Sequence, residues 1–192
     1  GKKGSVRGKD TPLGVNVDSS RITTDFYANF EQVAVPAMTS PNTSLPATGS
    51  IGSVGGTTYY DVSDVNLGSK DLLEINGPVV IVTDGEFNVK GEIRINDPHG
   101  SLEIYAADDV DIGGNGVANK TSVPANFLVY GNGGTDQTIK ISGNGAIYGA
   151  VYAPDADLEM KGSGATGVMC GAAVANNITL TGNFEFHYDE AL

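Results

Sequence analysis

The sequence has a single cysteine, Cys170, and no tryptophan. A lone thiol excludes an intrachain disulfide, so the fold does not depend on an oxidising compartment, and Cys170 is expected to serve as a small buried hydrophobe. Basic residues are scarce too, with 11 Lys and Arg against 23 Asp and Glu. Five of them, Lys2, Lys3, Arg7, Lys9 and Arg21, fall at the start, so from residue 22 onward 21 acids face 6 bases, a net charge of −15. A body this acidic repels phosphate backbones, which argues against nucleic acid as a partner. The basic cluster reads as a flexible solvated tail over residues 1–20 rather than a patch for anionic lipid or wall polymer. No apolar run approaches the 18 or more residues of a membrane span; the longest aliphatic stretch is Val79-Val80-Ile81-Val82. The chain opens GKKGSVRG without Met, which leads to the expectation that an export signal or anchor has been removed.

What the sequence has in quantity is glycine, 27 of 192 residues and about twice ordinary usage. Leu-rich helical stretches are missing, so the composition favours many turns and short strands. One helix is expected near the start: in ITTDFYANFEQVAV, Phe26, Phe30 and Val33 recur at helical spacing after a Thr/Asp start, predicting a short amphipathic helix over 22–35. Residues 36–58 are rich in Pro, Ser, Thr and Gly, so 21–58 reads as short helix plus linker, with the main domain over 59–192.

Within that domain five segments share one pattern, an apolar doublet followed by glycine: FNVKG, VDIGG, IKISG, LEMKG and ITLTG. Their first members, Phe87, Val110, Ile139, Leu158 and Ile178, are spaced by 23, 29, 19 and 20 residues. A period near 20 with insertions in two places is the signature of a solenoid. Residues i and i+2 of a strand share a face, so the doublets, Ile178 included, should point inward while Asn88, Asp111, Lys140, Glu159 and Thr179 point out. If rungs stack in parallel about 4.8 Å apart, Asp111, Lys140 and Glu159 form a ladder of alternating charge. Glycines 91, 114, 143, 162 and 182 then align at a corner. A second register pairs Gly149 with Gly171, Val151 with Ala173 and Ala153 with Ala175. These registers predict an all-β, single-stranded parallel β-helix, right-handed because crossovers between parallel strands nearly always are, with the short helix capping its N-terminal end.

KISGNGAIYGAVYAPDADLEMKGSG and the terminal GNFEFHYDEAL resemble an uncharacterised β-helical domain of bacterial cell-envelope proteins, a likeness that covers roughly residues 59–192. Members carry it at the C-terminus, sometimes behind a pilin-like or pilus-assembly segment, and it is similar to the solenoids of polymer-forming scaffold proteins. The resemblance implies an extracytoplasmic location in bacteria and no catalytic residues or cofactors. This chain shows no pilin-like hydrophobic start.

Several residue groups are candidates for chemistry on their own terms. His187, Tyr188, Asp189 and Glu190 combine an imidazole, a phenol and two carboxylates, but at this position they are expected to cap the exposed strand edge while Phe184 and Phe186 point into the last coil. Asp108, Asp109 and Asp111 lie beside glycines, as in calcium-binding β-rolls. Calcium wants six to eight oxygens and the unit does not recur every nine residues, so a solvated acidic face is the favoured reading. Asp155, Asp157 and Glu159 alternate along one face, as the carboxylates of a β-helical hydrolase or lyase would. Tyr148 and Tyr152 are placed to stack on sugar rings. The expectation drawn is a non-enzymatic scaffold or adhesive module without catalytic, cofactor or metal residues, its envelope or surface partner unidentified and self-association through the solenoid ends open to it. The alternative is carbohydrate recognition or cleavage on one wall.

Overall fold

The computed structural model describes residues 10–22, 28–143 and 146–188. The chain divides into a unit spanning residues 1–31 and a body spanning 32–192. Among its described residues the first unit has a single 3-10 turn, Ser19–Arg21, held by Asp18, whose carboxylate accepts from the Ser20 amide at 3.2 Å and hydroxyl at 2.6 Å.

The body is a parallel β-solenoid of about six turns, and its strands fall on three walls. Wall A holds β2 (Thr58–Val62), β5 (Pro78–Thr83), β8 (Ser101–Ala106) and β11 (Phe127–Gly131). Wall B holds β3 (Val65–Leu67), β6 (Phe87–Val89), β9 (Val110–Ile112) and β12 (Thr138–Gly143). Wall C holds β1 (Gly49–Ile51), β4 (Leu72–Ile75), β7 (Glu92–Ile95) and β10 (Gly116–Asn119). The chain then continues as one extended run, β13 (Ala146–Tyr188), which pairs first with β11 on wall A and next with β12 on wall B. Every strand pairing is parallel among these elements.

The doublets set the register of wall B. Phe87, Val110, Ile139 and Leu158 lie rung over rung, as do Val89, Ile112, Ile141 and Met160, and all eight are essentially sealed from water. Asn88, Asp111, Lys140 and Glu159 share the outward positions between them, forming the expected charge ladder. One more doublet, Val65 and Leu67, begins the wall below Phe87 and Val89. Gly114, at φ +63°, turns the corner where an added β-carbon would run into the Lys90 carbonyl.

Two buried amides hold the insertions that lengthen the fourth coil. Asn119 Nδ2 donates to the carbonyls of Val123 at 2.8 Å and Tyr148 at 3.0 Å, fixing the loop before β11. Gln137 Nε2 donates to the carbonyls of Ala106 at 2.8 Å and Asp108 at 2.6 Å, while its Oε1 accepts from the Gly133 amide at 3.0 Å, fixing the loop after β11. Both side chains are buried and fully engaged, which is the condition under which a polar group is tolerated inside.

Three expectations need correction. The helix over 22–35 does not form in its described part: residues 28–35 carry no helix, and Phe26 lies outside the described residues. Residues 36–58 are more than linker, since β1 pairs with β4 and buries Ile51, while the Asn42 amide donates to the Tyr59 carbonyl at 2.9 Å and its carbonyl accepts from Asp61 at 2.8 Å. Together with Leu45, which packs half-buried on the core, this extended wrap meets the first coil where a helical cap was expected. Lastly, Ile178 keeps its place in the repeat but not its burial, and is 47% exposed.

Candidate functional site

The outer face of wall A carries a cluster of aromatic side chains. Strand register places Asp61, Val82, Tyr105, Tyr130 and Tyr152 in one outward column, with Tyr59, Val80, Glu103, Leu128 and Ala150 in the column beside it. The rings of Tyr105 and Tyr130 stack with centroids 4.6 Å apart and planes inclined by 15°. Parallel rungs about 4.8 Å apart impose that spacing, so identical residues on successive rungs become a ring stack. The Tyr105 hydroxyl donates to Glu103 Oε2 at 3.1 Å. Burial raises the pKa of both phenols and the Glu103 charge adds to the rise, so both remain neutral donors at any ordinary pH.

A strap from the start of the body crosses this face. Gln32 Nε2 donates to Asp155 Oδ2 at 2.7 Å. Val33 and Met38 then pack against Val80, Val82 and Tyr105, together with Tyr59 and Tyr130. This explains the one uninterrupted aliphatic stretch: in β5, Val79 and Ile81 face the core while Val80 and Val82 face the strap, so both sides of the strand are dry.

Of the residues singled out from sequence, Tyr152 stands in the aromatic column, whereas Tyr148 lies outside it, half-buried, its carbonyl bound by Asn119. Asp155 falls between the wall A and wall B pairings of β13 while Asp157 lies beside Thr138 on wall B, and each is engaged: Asp155 with Gln32, and Asp157 with the side-chain amides of Asn176 at 3.1 Å and Asn177 at 2.8 Å. Asp108 accepts from the Asp109 amide at 2.7 Å and Asp109 from the Thr138 amide at 2.7 Å, while Asp111 faces Lys140 along the ladder. Among the described residues no group of three or more His, Cys, Asp or Glu side chains could hold a metal ion. Asp109, Asp111, Asn88, Thr138 and Lys140 line a shallow cavity of about 140 Å³ on wall B, where the buried Asn88 Oδ1 has no hydrogen-bond partner among the described residues. At the C-terminus, Phe186 packs half-buried on the core, His187 lies 3.5 Å from Glu185 and Tyr188 is exposed. Asp189 and Glu190 lie outside the described residues. Cys170 is half-buried rather than sealed.

Tyr105 and Tyr130 escape sequence reading because insertions make the spacings in their column uneven, 25 residues to Tyr130 and 22 more to Tyr152. The usable signal was a shared outward parity: each sits one residue after an inward aliphatic residue, Ile104, Val129 and Val151.

No curated protein and no solved structure matches the chain. The family described as Domain of unknown function (DUF7305) matches residues 28–192, which include the strap and every strand of the solenoid. The chain belongs to that family.

Proposed function

We propose that this family member is a non-enzymatic structural module, a rigid acidic spacer or adhesive scaffold of the bacterial cell envelope or surface. The supporting observation is how its groups are spent. Apolar side chains form an unbroken internal ladder from β3 to β13, while the outward carboxylates singled out as catalytic candidates, Asp155 and Asp157, bind the protein's own amides. A solenoid of this kind draws its stability from stacking and needs no active site. The acidic body suits a role in which the surface repels its neighbours except at chosen contacts. The envelope location, and attachment to a pilus-like assembly, rest on the resemblance of the YGAVYAP and FHYDEAL segments to envelope domains.

The deciding experiment incubates the purified chain with a panel of acidic and neutral polysaccharides. No turnover is expected. Turnover abolished by Asp155→Asn or His187→Ala would replace the scaffold with an enzyme. One observation favours a second reading, carbohydrate recognition: Tyr152 follows the strap-covered pair Tyr105 and Tyr130 in the outward column, and a phenol face at that place suits a sugar ring. Glycan binding lost in Tyr152→Ala would establish it.

A further inference from the structure

The two ends of wall B are built differently. At the first rung Val65 and Leu67 are 2% and 1% exposed, but at the last rung Ile178 and Leu180 are 47% and 48% exposed. The last rung is nonetheless in register. An added β-carbon on Gly182 would strike the Gly162 carbonyl, and Asn177 binds Asp157 one coil below, so Ile178 and Leu180 sit over Leu158 and Met160, which are buried. Every residue from Asn176 to Gly182 is exposed. The core therefore ends on two inward-facing apolar side chains with nothing over them among the described residues.

The chemistry of this edge differs from the rungs below. Asp111, Lys140 and Glu159 give way to Thr179, and Lys161 to Thr181, so the final strand carries no charge. Natural sheet edges are normally blunted by charge, lysine above all. An uncharged edge suits one partner in particular, a second copy of itself. Around a two-fold axis through Thr179, an antiparallel pairing sets Ile178 opposite Leu180 on the inward side. On the outward side it sets Thr179 opposite Thr179 and Asn177 opposite Thr181. A charge at any of these places would meet a like charge or a neutral group, since residues near an isologous axis face themselves or their near neighbours. The other end offers no open core to cover: Val65 and Leu67 of β3 are buried, and the wrap pairs beside them with the first coils on walls A and C, through Asn42 and β1, while Leu45 packs on the core.

We infer that the strand 177–182 is a self-docking edge, through which two copies pair end to end about a two-fold axis to form a closed dimer rather than a filament. The contact continues wall B across the interface and covers the open core. Each copy carries a net charge of −12, so long-range repulsion opposes the pairing and salt screens it. The dimer therefore tightens as ionic strength rises, the reverse of an interface held by opposite charges.

Sedimentation equilibrium on the full 192-residue chain tests this at low and high salt. The expected result is a monomer–dimer equilibrium, limiting at twice the 19.7 kDa chain mass and shifted toward dimer by salt. Thr179→Lys, at an exposed position, sets like charges across the axis and is expected to weaken the dimer about fivefold without lowering the melting temperature of the monomer, where it meets Glu159 of the rung below. Asn66→Lys, at the same outward position of the first rung, is expected to change nothing in the equilibrium. A monomer at every concentration and salt overturns the proposal, as does a dimer indifferent to Thr179→Lys. Species growing beyond the dimer, or an Asn66→Lys effect equal to that of Thr179→Lys, overturns the closed two-fold arrangement in favour of head-to-tail stacking. None of these readings depends on polysaccharide turnover, so the dimer and the scaffold reading fail separately.

Discussion

Gly171 lies directly over Gly149, so close that an added β-carbon would collide with the Gly149 carbonyl oxygen. This pair is the second register of the sequence repeat realised in space, and it carries a stacking constraint into β13. The colliding atom belongs to the backbone of the coil below, so no side-chain rotation relieves it. Gly171→Ala is expected to cost about 1–3 kcal/mol or more through forced separation of the coils, measured by urea denaturation. A variant as stable as the parent would show that the upper coils are not stacked this tightly.

Lys140 sits between Asp111 and Glu159 on consecutive rungs of the outer face of wall B. Direct neighbours on parallel rungs act as cross-strand pairs, and reversing the central charge turns two attractions into two repulsions. Because the positions are solvated, the effect is small: Lys140→Glu is expected to lose about 0.5–1 kcal/mol at low salt. The loss should shrink in high salt, when the Debye length falls to about 3 Å. Paired denaturation curves at two ionic strengths check both statements.

The register of wall B was legible in the sequence because each doublet is followed by a glycine that must turn the same corner. Phe87, Val110, Ile139 and Leu158 could thus be aligned across a 29-residue gap containing two loops. The doublet Val65 and Leu67 begins the wall but is less legible, because its glycine, Gly68, comes one residue earlier than in the other rungs. The N-terminal segment departs from its helical spacing for a physical reason. Phe30 and Val33 have helical spacing, but Val33 finds its partners on Val80, Val82 and Tyr105, and an extended strap reaches them along the wall while a helix would cover fewer rungs per residue. The aromatic column is only partly legible, at Tyr152 and not at Tyr105 or Tyr130, because outward residues are under no packing demand to preserve an even period. Ile178 shows the opposite limit: periodicity gives a residue its address in the stack, while burial depends on what packs over that address.

Gln137 ties the loop after β11 to the coil beneath it. Its amide engages the carbonyls of Ala106 and Asp108 and the amide of Gly133, and the side chain is 3% exposed. Replacing it leaves those groups without their partner in a space too enclosed for easy hydration. Gln137→Ala is expected to cost about 2–3 kcal/mol and to speed hydrogen exchange at Gly133 while leaving exchange in β5 and β6 unchanged. Uniformly faster exchange would mean that the loop and the core open together, without a local anchor.

Alkaline pH should unfold the protein through its tyrosines. Burial raises the pKa of Tyr105 and Tyr130 above 10, with the Glu103 charge adding to both and its hydrogen bond adding to Tyr105; Tyr60 is raised by burial alone. In the unfolded chain these phenols ionise near pH 10. Below that pH both states hold neutral phenols and the stabilising contribution is fully present. Above it the unfolded state releases protons that the folded state keeps, so stability falls as pH rises through and beyond 10. Melting temperature measured from neutral to strongly alkaline pH should therefore be level with respect to these groups up to about pH 9 and decline above pH 10. Tyr130→Phe removes one raised group and should flatten the decline without abolishing it, because Tyr60 and Tyr105 remain. Tyr105→Phe should flatten it as well, at the cost of lower stability at neutral pH, since Glu103 loses its donor. An alkaline slope identical in the parent and in Tyr130→Phe would show that the strap and the Glu103 charge leave Tyr130 no harder to ionise in the fold than in the open chain.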